Sequence, residues 1–179
     1  MDLELLVRLP AVAAALAKFP KDTALLYRVA TLRAAEGNYR ESLRLYREVV
    51  KLDPKHVAAL NNLALVLAES PQDRIEALAV IDKAIAVSGQ QPGLIDTKGA
   101  ILVYQGRSDQ AVSLLEAATR EAGTDVRHRF HLAAAYRDLG DLGKARDLLQ
   151  GALDQQLERQ FLTQTDRRLL AELKTALIP

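Results

Sequence analysis

Residues 23–56 read TALLYRVATLRAAEGNYRESLRLYREVVKLDPKH. The stretch divides into two helices, Ala24 to Glu36 and Tyr39 to Leu52, with Gly37-Asn38 as the turn between them. Asp53-Pro54 ends the second helix, because a proline disfavours helical geometry in the residue before it. Outward from this stretch the same punctuation returns. Gly37, Gly106 and Gly140 are separated by 69 and 34 residues, and the small residues Ser42, Ala77, Ala111 and Ala145 by 35, 34 and 34. A fixed period of about 34 marks a solenoid of helix-turn-helix units, in which no single unit buries its apolar face without a neighbour. The class of function implied is the holding of another polypeptide.

In register, the units cover residues 23–56, 57–91, 92–125 and 126–156. The turn of the second, Ser70-Pro71-Gln72-Asp73, is one residue longer than its counterparts and accounts for the single spacing of 35. In the third, Gly106 separates Leu94 to Gln105 from Ser108 to Glu121, with Ser108 as N-cap. In the fourth, Gly140-Asp141 separates Val126 to Leu139 from Leu142 to Gln155. The flanks differ, as the terminal elements of a solenoid do. Residues 1–22 read as a partial repeat or capping helix from Ala11 to Lys18, whose face of Val12, Leu16 and Phe19 packs on the first unit. Residues 157–179 read as a linker, anchored by Phe161 and Leu162, and a closing helix. Thr165 caps that helix from Asp166 to Leu177, and Leu169, Leu173 and Leu177 form its apolar stripe. The half unit at the start is what a chain cut from a longer array would show. All of this forms one continuous all-α domain.

With 179 residues, 49% of them hydrophobic, the chain has ample apolar surface to bury. Its 24 Lys and Arg nearly cancel 23 Asp and Glu, so no field steers it toward nucleic acid or an anionic membrane. The absence of cysteine removes disulfides, thiolate nucleophiles and zinc ribbons. The longest small and apolar run, Pro10 to Ala17, falls far short of the ~20 residues that span a bilayer, so direct membrane insertion is not expected. Asp2 and Glu4 stand where a targeting peptide would be basic. The cytoplasm is the expected compartment, with the periplasm or envelope open if the chain is a fragment.

The helix-turn-helix pattern of 34 residues places large residues at positions 4, 7 and 11, small ones at 8 and 20, a bulky one at 24 and proline at 32. The first unit fills these positions with Leu26, Val29, Arg33, Ala30, Ser42, Tyr46 and Pro54, and the second with Leu60, Leu63, Leu67, Ala64, Ala77, Ile81 and Gly89. The third has Ile95, Lys98, Leu102, Gly99, Ala111, Leu115 and Gly123; the fourth has Arg129, Leu132, Tyr136, Ala133, Ala145 and Leu149. On these residues the chain resembles the tetratricopeptide repeat family over residues 23 to about 156, and Leu60-Asn61-Asn62-Leu63-Ala64 looks like bacterial arrays of that family. The small residues lie where the two helices of a repeat touch backbone to backbone, where added bulk costs about 1 to 3 kcal/mol. Arg33, Lys98 and Arg129 depart from the apolar pattern, their methylene stems covering the core edge while the charge reaches water.

The resemblance implies a right-handed α-solenoid whose concave wall is built mainly by the first helix of each repeat. Carried over by position, that wall comprises Tyr27, Thr31, Asn61, Asn62, Leu65, Glu69, Asp96, Val103, Tyr104, Arg127, Phe130, Arg137 and Asp138. Its aromatics are suited to anchoring apolar side chains and its asparagines to hydrogen-bonding an extended backbone. A protein or peptide is therefore the expected partner, bound by a non-catalytic adaptor. The subclass that clamps the carboxylate end of chaperones needs a cationic pocket, and only Asn62 of that set is present; Tyr27, Thr31, Gly93 and Thr97 occupy the other positions, so chaperone-tail binding is not expected.

Other chemistries find less support. His128 and His131 at i and i+3 lack a third ligand at fitting spacing, His56 sits at a repeat junction, and no metal or cofactor is expected. Arg120, Arg127, Arg129 and Arg137 flank Phe130, but Glu121, Asp125 and Asp138 interrupt this patch, which reads as a solvated face and not a nucleic-acid surface. Gly99 and Gly106 belong to the repeat and make no phosphate loop, and no catalytic constellation recurs. Two rivals to the adaptor remain: a structural module that self-assembles weakly through terminal helices, using Val12, Leu16 or Phe19, and the accessory region of a larger protein.

Overall fold

The computed structural model describes residues 14–121 and 125–178. After a helical turn at residues 14–18 come nine helices among the described residues. They are α1 (Thr23–Ala35), α2 (Tyr39–Leu52), α3 (Val57–Ala68), α4 (Arg74–Ser88), α5 (Pro92–Tyr104), α6 (Ser108–Glu121), α7 (Val126–Asp138), α8 (Leu142–Asp154) and α9 (Gln164–Leu177). Each consecutive pair from α1–α2 to α7–α8 is an antiparallel hairpin packed on the next, which is an α-solenoid. None of the described helices is long and apolar enough to cross a membrane.

The periodic glycines close the first helix of three hairpins by one device. Gly37, Gly106 and Gly140 have φ of 75, 71 and 84°, the left-handed region in which a residue without Cβ carries no steric penalty. Around Gly37 the amide of Asn38 donates to the Arg33 carbonyl (2.8 Å) and that of Gly37 to the Ala34 carbonyl (3.0 Å), the paired bonds of a Schellman motif. The same pair recurs as Arg107 to Leu102 with Gly106 to Val103, and as Asp141 to Tyr136 with Gly140 to Arg137. The second hairpin replaces this cap with a 3-10 turn at Pro71–Asp73, which takes up its extra residue. Side chains finish the other ends: Asp22, Asn38, His56, Asp125 and Asp141 each accept a backbone N–H as N-cap.

Within the hairpins the crossings are built on small residues. Ala64, Ala77, Ala133 and Ala145 are fully buried, and the Ser42 hydroxyl donates to the Ala30 carbonyl across the first crossing (2.9 Å). A Cβ on Gly99 would lie 2.5 Å from both Cγ and Cδ2 of the buried Leu115, so only glycine fits there. The core runs along the solenoid, with Leu78 and Tyr104 packed against both its halves. Arg33 and Lys98 lie half-buried at its edge and pair with Glu36 (2.7 Å) and Asp82 (2.7 Å).

The ends depart from expectation. Leu16 packs on the core, but Phe19 is 51% exposed beside Lys18, because the chain turns away at residues 19–21; Val12 lies outside the described residues. Thr163, not Thr165, caps α9, since Asp166 completes a capping box that bonds back to the Thr163 amide. In the lead-in segment Leu157 and Leu162 are the buried anchors, whereas Phe161 is 54% exposed.

Candidate functional site

The concave wall is formed by α1, α3, α5 and α7, which touch in succession. Contacts between neighbours follow a ladder of 35 residues: the Asn62 amide donates to the Tyr27 hydroxyl (3.2 Å), and His131 meets Asp96 (2.9 Å). The ladder continues into the closing helix, where His131 meets Asp166 (3.1 Å) and Arg137 meets Glu172 (3.5 Å). Two such pairs in register mean that α9 runs beside α7 in the same direction, on the concave side. Its N-terminal end reaches further across the groove: the Thr165 amide donates to the Glu69 carboxylate (3.2 Å), and Gln164 lies beside the α1–α2 turn at Gly37. The far end is tied to α8 by the Arg146 guanidinium, which donates to the Leu177 carbonyl (2.8 Å).

At the centre of this closure is a buried charge cluster. His131 is only 4% exposed, and its two ring nitrogens face Asp96 and Asp166, which are equally buried. Ionised carboxylates accept hydrogen bonds and cannot donate, so both nitrogens carry protons and the ring is an imidazolium. Burial alone would lower the His131 pKa, but the two carboxylates overcome it and raise it to about 10. Burial pushes the Asp166 carboxyl up, whereas bonds from His131, the Tyr104 hydroxyl and the Thr163 amide outweigh it and hold it at about 2. Burial and the neighbouring Asp166 carboxylate push the Tyr104 phenol well above its ordinary value. On the next turn of α7, Arg127 is gripped by Asp125 through Nε (3.0 Å) and Nη2 (2.6 Å), and that bond chiefly lowers the Asp125 pKa to about 2.

Beside the closed part the groove stays open. Two adjoining clefts of about 440 and 330 Å3 share the walls Asn61, Asn62, Leu65, Arg127, Phe161 and Thr163. Asn61, Asn62, Leu65 and Arg127 were expected on this wall, and the structure brings them together. Tyr27 stacks on His56 (centroids 5.0 Å apart), and Thr31 bonds the Tyr46 hydroxyl (2.9 Å) at its edge. Asn62 directs its amide donor to Tyr27 and Tyr46, while the buried Oδ1 of Asn61 has no hydrogen-bond partner among the described residues.

Of the remaining expected residues, Asp96 lines the cleft of about 440 Å3, Glu69 that of about 330 Å3, and Val103, Tyr104 and Arg137 a further cleft of about 370 Å3. Phe130 is fully buried in the core, while its neighbour His131, the counterpart of Asn62 two repeats on, faces Asp96 as Asn62 faces Tyr27. Val103 is buried, and Asp138 turns toward α6 to accept from the Ser108 hydroxyl (2.7 Å). Glu69, Asp96, Tyr104 and Arg137 lie on the groove side but are engaged by α7 or α9. His131 is consumed by its two carboxylates, and among the described residues no group of three or more His, Cys, Asp or Glu is placed to hold a metal. Sequence reasoning missed Phe161, Thr163 and Asp166; the capping box Thr163-x-x-Asp166 and the 35-residue spacing from Asp96 through His131 to Asp166 were the signals available.

The tetratricopeptide repeat model matches residues 27–92 and 97–156. The chain belongs to the tetratricopeptide repeat family. Similar solved structures carry the same fold: a tetratricopeptide repeat protein from Parabacteroides merdae superposes with a TM-score of 0.78 at 19% identity, covering 97% of this chain and 66% of that one. A thermophilic tetratricopeptide repeat protein of Thermus thermophilus gives 0.73 at 21% identity, covering 94% and 88%. Among curated proteins, anaphase-promoting complex subunit 7 of Dictyostelium discoideum is 27% identical over 89 residues, half of this chain; the match spans only 15% of that relative. Tetratricopeptide repeats build protein–protein interaction scaffolds and are generally non-catalytic, and this chain is such a scaffold at that level.

Proposed function

We propose that this tetratricopeptide repeat chain is an adaptor that binds an extended segment of a partner protein in the open part of its concave groove. The supporting observation is the pair of adjoining open clefts, whose common wall sets the side-chain amides of Asn61 and Asn62 beside Leu65, Arg127 and Phe161. Side-chain amides on such a wall hydrogen-bond the N–H and C=O groups of an extended backbone. Leu65 and the exposed Phe161 flank them and offer apolar contact to alternate side chains of the same segment. Polar groups fix register and the aromatic supplies anchoring area, the division of labour found in peptide grooves.

The test begins with peptides selected on the full chain from a random library. Affinity of the selected peptides is then measured for the Asn61→Ala and Phe161→Ala variants, with Ile75→Ala on the exposed outer surface as control. Each groove change is expected to weaken binding about tenfold, a loss of about 1.4 kcal/mol. Equal affinity in all four proteins would move the binding surface elsewhere.

A further inference from the structure

We propose that α9 is a displaceable occupant of the covered half of the groove, and that the surface beneath it docks the N-terminal end of a partner helix with an aspartate or glutamate as its third residue. This surface adjoins the open cleft and shares Asp96 and His131 with it; the Asp166→Asn change tests this surface, whereas the Asn61→Ala and Phe161→Ala changes test the cleft, so the two failures are distinguishable.

Three observations point there. First, the receptor is assembled without α9. Asp96 on α5 holds His131 through Nδ1 (2.9 Å), which fixes the tilt of the ring and aims Nε2–H into the groove, and the Tyr104 hydroxyl converges on the same point. Secondly, what α9 offers is generic to helix starts. Its third residue, Asp166, supplies the carboxylate, its second, Thr165, gives a free backbone N–H to Glu69, and Leu169 and Leu173 follow at one-turn intervals. Any helix with an acidic third residue and apolar residues three and seven positions later presents the same features. Thirdly, the seam between α9 and the wall is flanked by gaps although its leucine stripe is buried. Clefts of about 440, 330, 370 and 270 Å3 run along the seam between residues 161–172 and the wall, and atoms lining such gaps forfeit dispersion contacts. The connection to α8 passes through Gln156, whose φ of 64° is the only left-handed value of a non-glycine residue among those described. Leu157 and Leu162 beside it are core anchors, so the displacement concerns α9 itself, from Gln164 onward. A partner helix then competes with a tethered internal copy, which sets a threshold on its affinity.

A labelled peptide of residues 160–178 serves as the probe. Its affinity is measured for the full wild-type chain and for the full Asp166→Asn chain, whose own helix is weakened while the receptor is intact. The variant is expected to bind the peptide at least tenfold more tightly, and a peptide carrying the same Asp166→Asn change is expected to lose that gain. Hydrogen exchange of the wild-type chain reads the displacement directly: α9 amides should exchange through an opening that leaves α5 to α8 protected. Equal affinity for both chains, or α9 amides that exchange only together with α5 to α8, would overturn the proposal. Exchange of α9 between copies, seen as a dimer in light scattering, would assign the surface to a second copy and overturn it as well.

Discussion

Two glycines make opposite forecasts for one substitution. Gly99 lies inside α5 against Leu115, where a methyl would meet Cγ and Cδ2 at 2.5 Å in a core that cannot yield, whereas a methyl on Gly151 in α8 finds only the end of Arg129 at 3.8 Å. Alanine gains about 1 kcal/mol over glycine in a helix interior, while overpacking costs about 1 to 3 kcal/mol. Gly99→Ala is therefore expected to lower the melting temperature by several degrees, and Gly151→Ala to leave it unchanged or raise it. Thermal unfolding followed by circular dichroism checks both, and a Gly99→Ala chain as stable as the parent would remove the close crossing from the account. The small residues at 30, 42, 64, 77, 99, 111, 133 and 145 were legible because backbone contact tolerates little bulk. The fate of Phe130 was not, since its position borders both groove and core and only the packing around a large apolar ring decides between them.

At the scale of elements, α9 is fastened by charges whose titration has a definite sign. His131 is raised from 6.5 to about 10, so its contribution is complete below about 6.5 and is lost as pH rises through 10. Asp166 is lowered from 3.8 to about 2, so its contribution is present above about 3.8 and is lost as pH falls through 2. Asp96 and Tyr104 from α5, Asp166 from α9, and Arg127 and His128 on α7 itself make up the charged and titratable surroundings. Protection of α9 is expected to be greatest between about pH 4 and 6.5 and to decline toward pH 10, with the alkaline decline absent from an H131Q/D166N chain. Protection that rises between pH 7 and 10 would show that the imidazolium is not what holds the helix. The existence of α9 and its leucine stripe could be read from the sequence, because periodicity reports which face is buried. Its position against the concave wall could not, because that depends on long-range polar pairs that leave no helical period. The 35-residue ladder joining Asp96, His131 and Asp166 is visible only once neighbouring first helices are known to touch at that offset.

For the whole molecule, the solenoid was fixed by turn chemistry: glycines that complete Schellman caps recur at the repeat length, and the one turn lacking them is one residue longer. The groove was legible as a region and only partly by residue. The closing helix divides it, leaving Asn61, Asn62, Leu65, Arg127 and Phe161 around the space that remains. The most direct measurement of the central claim is a two-dimensional NMR titration of the full chain with a peptide selected on it. The account predicts chemical-shift changes at Asn61, Leu65, Arg127 and Phe161, with α2, α4 and α6 on the outer side unmoved. Changes concentrated on those outer helices, with the four groove residues silent, would contradict it.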